Sequence, residues 1–228
     1  MGADLAAVWA AVDAERLSMA ALLEDLTDEE WETQSLCAGW RVREVAAHLT
    51  QAHTGVWEAA RGLARARGDF NRMIDTMARK RARLPVAEFP ARLRAMAGSR
   101  KKAPGVSALE PLIDVLVHGQ DIAIPLGREH AMPVAAARMS VERVWPDLFP
   151  FRAGRRFGTI GFAATDCGWS AGTGAAVEGP IGAILLVLTG RPAGLARLTG
   201  PGVTEVEERL VATRKAQPAR AQQGIDVS

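Results

Sequence analysis

The sequence predicts an α+β protein: an N-terminal four-helix bundle followed by a smaller α+β domain. Three observations carry this reading. Apolar residues recur every three to four positions through the first half of the chain, as on one face of a helix. After Pro133 that period gives way to short apolar runs between glycine-rich turns, the pattern of strands and short helices. The chain has 228 residues, 48% hydrophobic and 24% charged, enough for two cores that need no covalent staples.

The elements follow in order. Residues 3–26 place Leu5, Val8, Trp9, Val12, Leu22 and Leu26 at helical spacing. Thr27 with Glu30 three positions on has the form of a capping box opening a short turn. Residues 35–40 read as a loop, and a second long helix over about 41–67 carries Val42, Val45, Leu49, Val56 and Leu63. A third helical region, about 70–98, is interrupted at Pro85 or Pro90, because proline lacks the N–H of a helix interior. A polar connection over 98–105 leads to a fourth helix, about 106–124, ending before Pro125. The bundle is thus assigned to 1–132, with a linking helix over 133–149. The α+β domain covers 150–212 and a polar, flexible tail 213–228. Within that domain 156–165 and 175–178 read as strands, separated by small and turn-forming residues. An apolar helix over 180–189 stops at Gly190, 195–198 reads as a strand, and 203–211 closes as helix or strand.

Composition excludes several classes. The only cysteines, Cys37 and Cys167, make neither a zinc-finger set nor a disulfide framework. No run of about 18 uncharged apolar residues exists for a membrane span. Asp4 and Asp13 stand where a secretory leader would be basic, so the expected location is the cytoplasm. Net charge is +2, but residues 61–102 alone carry thirteen Lys and Arg against Asp69, Asp75 and Glu88. That segment is either an anion-attracting surface or the solvated face of long helices. With only Phe70 and Phe89 among the arginines, it lacks a stacking platform for single strands, and no nucleic-acid partner is expected.

The fourth helix holds the chemical anomaly. It is apolar almost all round, yet Asp114, His118 and Asp121 fall at i, i+4 and i+7 on one face. A carboxylate and an imidazole buried together require partners, since desolvating either alone costs several kcal/mol. A divalent metal is one such partner, with Asp114 and His118 as ligands and Asp121 holding the far ring N–H. His48, on the inward stripe of the second helix with Val45 and Leu49, is the candidate third ligand. His53 points roughly 140° away by helical geometry, and His130 falls in a polar loop. Two histidines and one carboxylate leave open positions, as catalytic sites do. Spacing leaves the alternative standing: two core histidines, each hydrogen-bonded to a neighbouring acid.

The run Trp31, then Cys37-Ala38-Gly39-Trp40-Arg41-Val42 on to His48-Leu49, resembles the N-terminal signature of the DinB-like, mycothiol-dependent maleylpyruvate isomerase family. Asp114-Val115-Leu116-Val117-His118-Gly119-Gln120-Asp121 matches its second signature. Thr165-Asp166, Trp169-Ser170, Leu188-Thr189-Gly190-Arg191-Pro192 and Leu198-Thr199-Gly200-Pro201-Gly202 fit its later features, so the likeness runs from about residue 5 to 211. The resemblance implies a DinB-type bundle holding a divalent metal, usually zinc, packed with a C-terminal α+β domain. Its His, Glu, His ligand pattern falls on His48, Asp114 and His118, with aspartate standing where the characterised isomerases have glutamate. It further implies mycothiol as the thiol cofactor and an electrophilic small molecule as its partner, in an S-transferase or a cis–trans isomerase, monomeric or homodimeric. Arg191 is then the candidate for gripping a carboxylate during catalysis, and Trp40 and Trp169 for lining the cofactor pocket. Two non-catalytic readings compete on the same fold: a metal-binding scaffold closed by a fourth ligand, and a carrier of hydrophobic ligands.

Overall fold

The computed structural model describes residues 4–51, 70–102, 107–146 and 151–216. They form two compact units, one running to His130 and the other starting at Ala131.

The first unit is helical. α1 (Leu5–Glu24) is opened by Asp4, whose carboxylate accepts from the Ala6 N–H. The capping box at Thr27 is present in both directions and starts α2 (Asp28–Glu32). α3 spans Val42–Leu49; the rest of the expected second helix, with Val56, Leu63 and His53, lies outside the described residues. The third helical region is two helices, α4 (Phe70–Arg81) and α5 (Glu88–Met96). Pro85 makes the break; Pro90 is tolerated because it lies in the first turn of α5, whose N–H groups have no intrahelical acceptor. α6 is Leu109–Ala123. α1 packs on α5 and α6, and α3 packs on α4 and α6. Trp31, Trp40, Phe89, Leu23, Leu93 and Ile122 are among the buried side chains at the centre, each worth roughly 1.5–3 kcal/mol of burial.

The second unit begins with α7 (Val134–Val144), which packs on α9 (Ile181–Leu188). The stretch read as a linking helix therefore belongs to this unit's own core. Where one strand was expected over 156–165 there are two elements, α8 (Ala153–Phe157) and β1 (Ile160–Ala164). Ala153 and Phe157 are buried at helical spacing and Ile160 and Phe162 at strand spacing, so the period changes inside one apolar run. β1 pairs antiparallel with β2 (Ser170–Ala171) and parallel with β3 (Ala175–Gly179). β2 lies within the stretch read as turn. Gly172 at its end has φ 82°, and a Cβ there would sit 2.0 Å from the Ile160 carbonyl oxygen.

Residues 195–198, expected as a strand, end a 3₁₀ helix, Pro192–Arg197. Pro192 sets the first helical φ, and only Thr199 beyond it bridges to Glu178. α10 (Val203–Ala216) runs past residue 212, where its polar sequence suggested a frayed end. No helix among the described residues is long and apolar enough to cross a membrane.

Inside the helical unit Glu15 and His130 face each other, the Glu15 carboxylate 3.8 Å from His130 Nε2. Both atoms are buried without a hydrogen-bond partner. His130 lies in the loop after α6, as the sequence suggested, but its side chain is buried, the ring packed on Gly119. Burial pushes the Glu15 carboxyl up to about 7 and pulls His130 down. A carboxyl raised in the folded state keeps its proton where the unfolded chain releases it, so this group costs stability as pH rises from the ordinary value of 4.5 through about 7. Glu15→Gln removes that cost. Its melting temperature relative to the parent should climb by several degrees between about pH 5 and pH 8 in a thermal-unfolding series; a constant difference would contradict this account.

Candidate metal centre

The centre is built by one loop and two helices. The loop before α3 is tied to itself: Ser35 Oγ donates to the Trp40 carbonyl at 2.6 Å and accepts from the Cys37 N–H at 3.1 Å. The Gln34 amide donates to the carbonyls of Cys37 (2.9 Å) and Trp40 (2.7 Å). Gly39 turns the chain at φ 75°. Trp40 is fully buried and its indole N–H donates to Asp75 at 2.9 Å, fixing the loop to α4. The Leu36 N–H donates to the Asp121 carbonyl at 3.1 Å, fixing it to α6. Arg41 then opens α3, with Glu44 reaching back to its N–H. Two turns on, the His48 ring lies 5.5 Å from that of Trp40.

From α6 come Asp114, His118 and Asp121. The structure brings His48, Asp114 and His118 together: their donor atoms all lie within 4.8 Å of one another. His48 Nε2 is 3.3 Å and His118 Nε2 3.5 Å from the same Asp114 oxygen. Bonds of about 2.0–2.1 Å at tetrahedral angles set ligand atoms about 3.3 Å apart, so the spacing suits one divalent ion. The side chains grade from the interior outward, with His118 fully buried, His48 at 14% and Asp114 at 26% exposure.

His118 supplies the chemical argument. Its Nδ1 is 2.8 Å from Asp121 Oδ2, and both side chains are fully buried. A carboxylate accepts only, so Nδ1 carries the proton. In the neutral ring the Nε2 lone pair then faces the Asp114 carboxylate, and Nε2 is a buried atom with no hydrogen-bond partner. The opposite tautomer moves the same conflict to Asp121. A cation at Nε2, whether a second proton or a metal, resolves it. His48 has no such second support, since its Nδ1 is buried without a partner and the ring is held by packing on Trp40.

Two neighbours were not legible in the sequence. Cys37, buried in the loop, donates its thiol to Asp121 Oδ2 at 3.1 Å and lies 3.6 Å from His118 Nδ1. Arg16 of α1 lines a depression beside Asp114 together with Leu49 and Met96. It is buried, and its Nη1 donates to the Met96 carbonyl at 2.9 Å. Burial lowers its hold on the proton, opposed by the carboxylates of Asp13 and Asp114. The remaining candidates belong to the second unit. Arg191 is buried and donates to the Thr189 carbonyl at 2.6 Å. Trp169 packs edge-on against Trp145, ring centroids 5.9 Å apart.

Residues 12–111 match the family model described as the mycothiol maleylpyruvate isomerase N-terminal domain. Over that stretch the helical unit is similar to the domain the model describes. The match includes the Cys37–Trp40 loop and His48 and stops short of Asp114 and His118. A crystal structure of the mycothiol-dependent maleylpyruvate isomerase is similar over 87% of this chain and 93% of its own, at 11% identity and a TM-score of 0.59. A histidine-to-alanine mutant of that enzyme gives 13% identity and a TM-score of 0.58 over the same shares. At these identities the likeness establishes a common α+β fold that extends past the N-terminal domain into the second unit. No curated protein sequence matches the chain significantly.

Removing the Asp121 carboxylate leaves the His118 N–H and the Cys37 S–H facing a dry void. Asp121→Ala should therefore cost about 3 kcal/mol or more in urea unfolding of the metal-free protein; a loss below about 1 kcal/mol would mean that the pair contributes little.

Proposed function

We propose that this protein is an enzyme that uses mycothiol as its thiol cofactor, as an S-transferase or a maleylpyruvate-isomerase-like catalyst. In this reading His48, Asp114 and His118 hold a divalent metal, with zinc the best match to two imidazoles and one carboxylate. The observation that carries it is His118: proton on the Asp121 side, bare Nε2 opposite Asp114 and His48, spacing suited to one ion. Bound there, a divalent cation with an open position lowers the pKa of a coordinating thiol and makes it a nucleophile at neutral pH.

The chain's own residues prepare that position. Asp121 keeps the His118 proton on Nδ1, so Nε2 is offered as a lone pair. Asp114 neutralises part of the cation's charge from the exposed side of the cluster. Aspartate in place of the family's glutamate is one methylene shorter, and its single oxygen already lies within 3.5 Å of both imidazoles. Trp40 walls the His48 side and excludes water from it. Arg16 places a fixed positive charge beside Asp114, suited to orienting an anionic group of a reactant. Arg191, as a carboxylate-binding catalytic residue, and Trp40 and Trp169, as cofactor contacts, enter on the family resemblance alone. The partners are small molecules, the thiol and an electrophile, and a reducing cytoplasm is the compartment in which a thiol cofactor stays reduced.

The test is metal stoichiometry by mass spectrometry on the purified chain and on a His48→Ala/His118→Ala double variant. About one divalent ion per chain in the parent and none in the variant is the expected result. Full occupancy in the variant, or none in a zinc-reconstituted parent, overturns the ligand assignment. Metal-dependent turnover of an electrophile, read as loss of mycothiol's free thiol for an S-transferase or as cis–trans conversion with the thiol regenerated for an isomerase, would then separate an enzyme from a metal-binding scaffold.

A further inference from the structure

We propose that Cys37 is a positioning residue, a buried hydrogen-bond donor that pins Asp121 and thereby fixes the ring of His118. The role follows from three independent placements. First, the acceptor is shared: Asp121 Oδ2 takes the Cys37 thiol at 3.1 Å and the His118 ring N–H at 2.8 Å. Two donors converging on one oxygen from different elements, the loop and α6, narrow the orientations open to the carboxylate. Second, the thiol is not free to adapt. The Cys37 N–H is held by Ser35 Oγ, its carbonyl accepts from the Gln34 amide and the Trp40 N–H, and its side chain is 1% exposed. Third, the same loop grips the backbone of the residue it orients, through the Leu36 N–H on the Asp121 carbonyl.

The direction of donation is set by chemistry. The carboxylate has no proton to give, so both S–H and N–H point at it. The contact from Cys37 Sγ to His118 Nδ1, at 3.6 Å, is then a packing contact between two donors. Cys37 is thereby assigned neither a redox nor a nucleophilic role; it acts through Asp121 on the ring that offers Nε2 to the centre. Outer partners of this kind are worth 10–100-fold in metal affinity when removed.

Serine and alanine at position 37 decide the matter, because both shorten the side chain by a similar volume and only serine keeps a donor. Two readouts are taken on the full-length protein. The first is the ring ¹⁵N spectrum of the metal-free chain, whose four histidines allow His118 to be assigned and its tautomer read. The second is the zinc dissociation constant by chelator competition. Cys37→Ser is expected to keep the Nδ1–H tautomer of His118 and to bind zinc within about 3-fold of the parent. Cys37→Ala should show ring nitrogens averaged between tautomers and bind zinc at least ~10-fold more weakly, with a far-UV spectrum unchanged in both. Serine and alanine variants with the same His118 spectrum would overturn the proposal. Only the zinc arm rests on the ligand reading above. If the parent binds no zinc while the two variants still differ in their ring spectra, the positioning role stands and the ligand assignment falls.

Discussion

A carboxylate with no exposure to water can persist inside a helical core only if donors surround it, and Asp121 is such a group. Its oxygen gathers the His118 ring and the Cys37 thiol, and its carbonyl gathers the loop backbone at Leu36. That set of bonds fixes the loop over 35–40 on α6. The loop in turn fixes where α3 begins, and with it the position of His48 two turns on. The His118 proton stays on Nδ1 for the same reason, which leaves Nε2 facing Asp114. Remove the carboxylate and the His118 ring and the Cys37 thiol lose their shared acceptor, while the backbone bond from Leu36 stays.

The scaffold around this point is rigid where the centre needs it. Trp40 fills the space between the loop and α4, bonds Asp75, and presents its ring to His48. Arg79 adds a donor to the Gly39 carbonyl from the same helix. The basic run in the sequence is thus partly spent on structure: Arg79, Arg92 and Arg94 pair with Asp75, Glu88 and Glu24. Such exposed pairs contribute little stability each, and they engage three of the thirteen cations in that segment. Arg16 differs, since it is buried and borders the depression beside Asp114.

Among the described residues of the helical unit, buried histidines meet acids around His118 and at Glu15 and His130, and physics separates their roles. His118 has a close, directional contact to Asp121 at 2.8 Å, and its unpartnered Nε2 faces a carboxylate and a second imidazole. Between Glu15 and His130 the contact is 3.8 Å, too long for a hydrogen bond, and both are driven toward their neutral forms by burial. The first arrangement calls for a cation, the second for its absence.

Read by itself, the sequence determined what depends on local periodicity and local chemistry. The helical first half, the Thr27 capping box, a break at Pro85 or Pro90 and the helix stop at Gly190 each follow from neighbours within a turn or two. So does the stacking of Asp114, His118 and Asp121 on one face of α6, because a 3.6-residue repeat fixes it. His48 was legible as an inward residue and as the candidate partner of Asp114 and His118, and the structure brings the three together. The short elements of the second unit were misread where a period changes within a few residues, at α8 and β1, or where proline chooses a 3₁₀ helix. Only the tertiary structure decided that Cys37 meets Asp121 across 84 positions, that Arg16 borders Asp114, and that His130 enters the core. Those contacts join residues far apart in the chain, and no spacing rule reaches them: they exist because packed helices bring chosen faces together and close the water out.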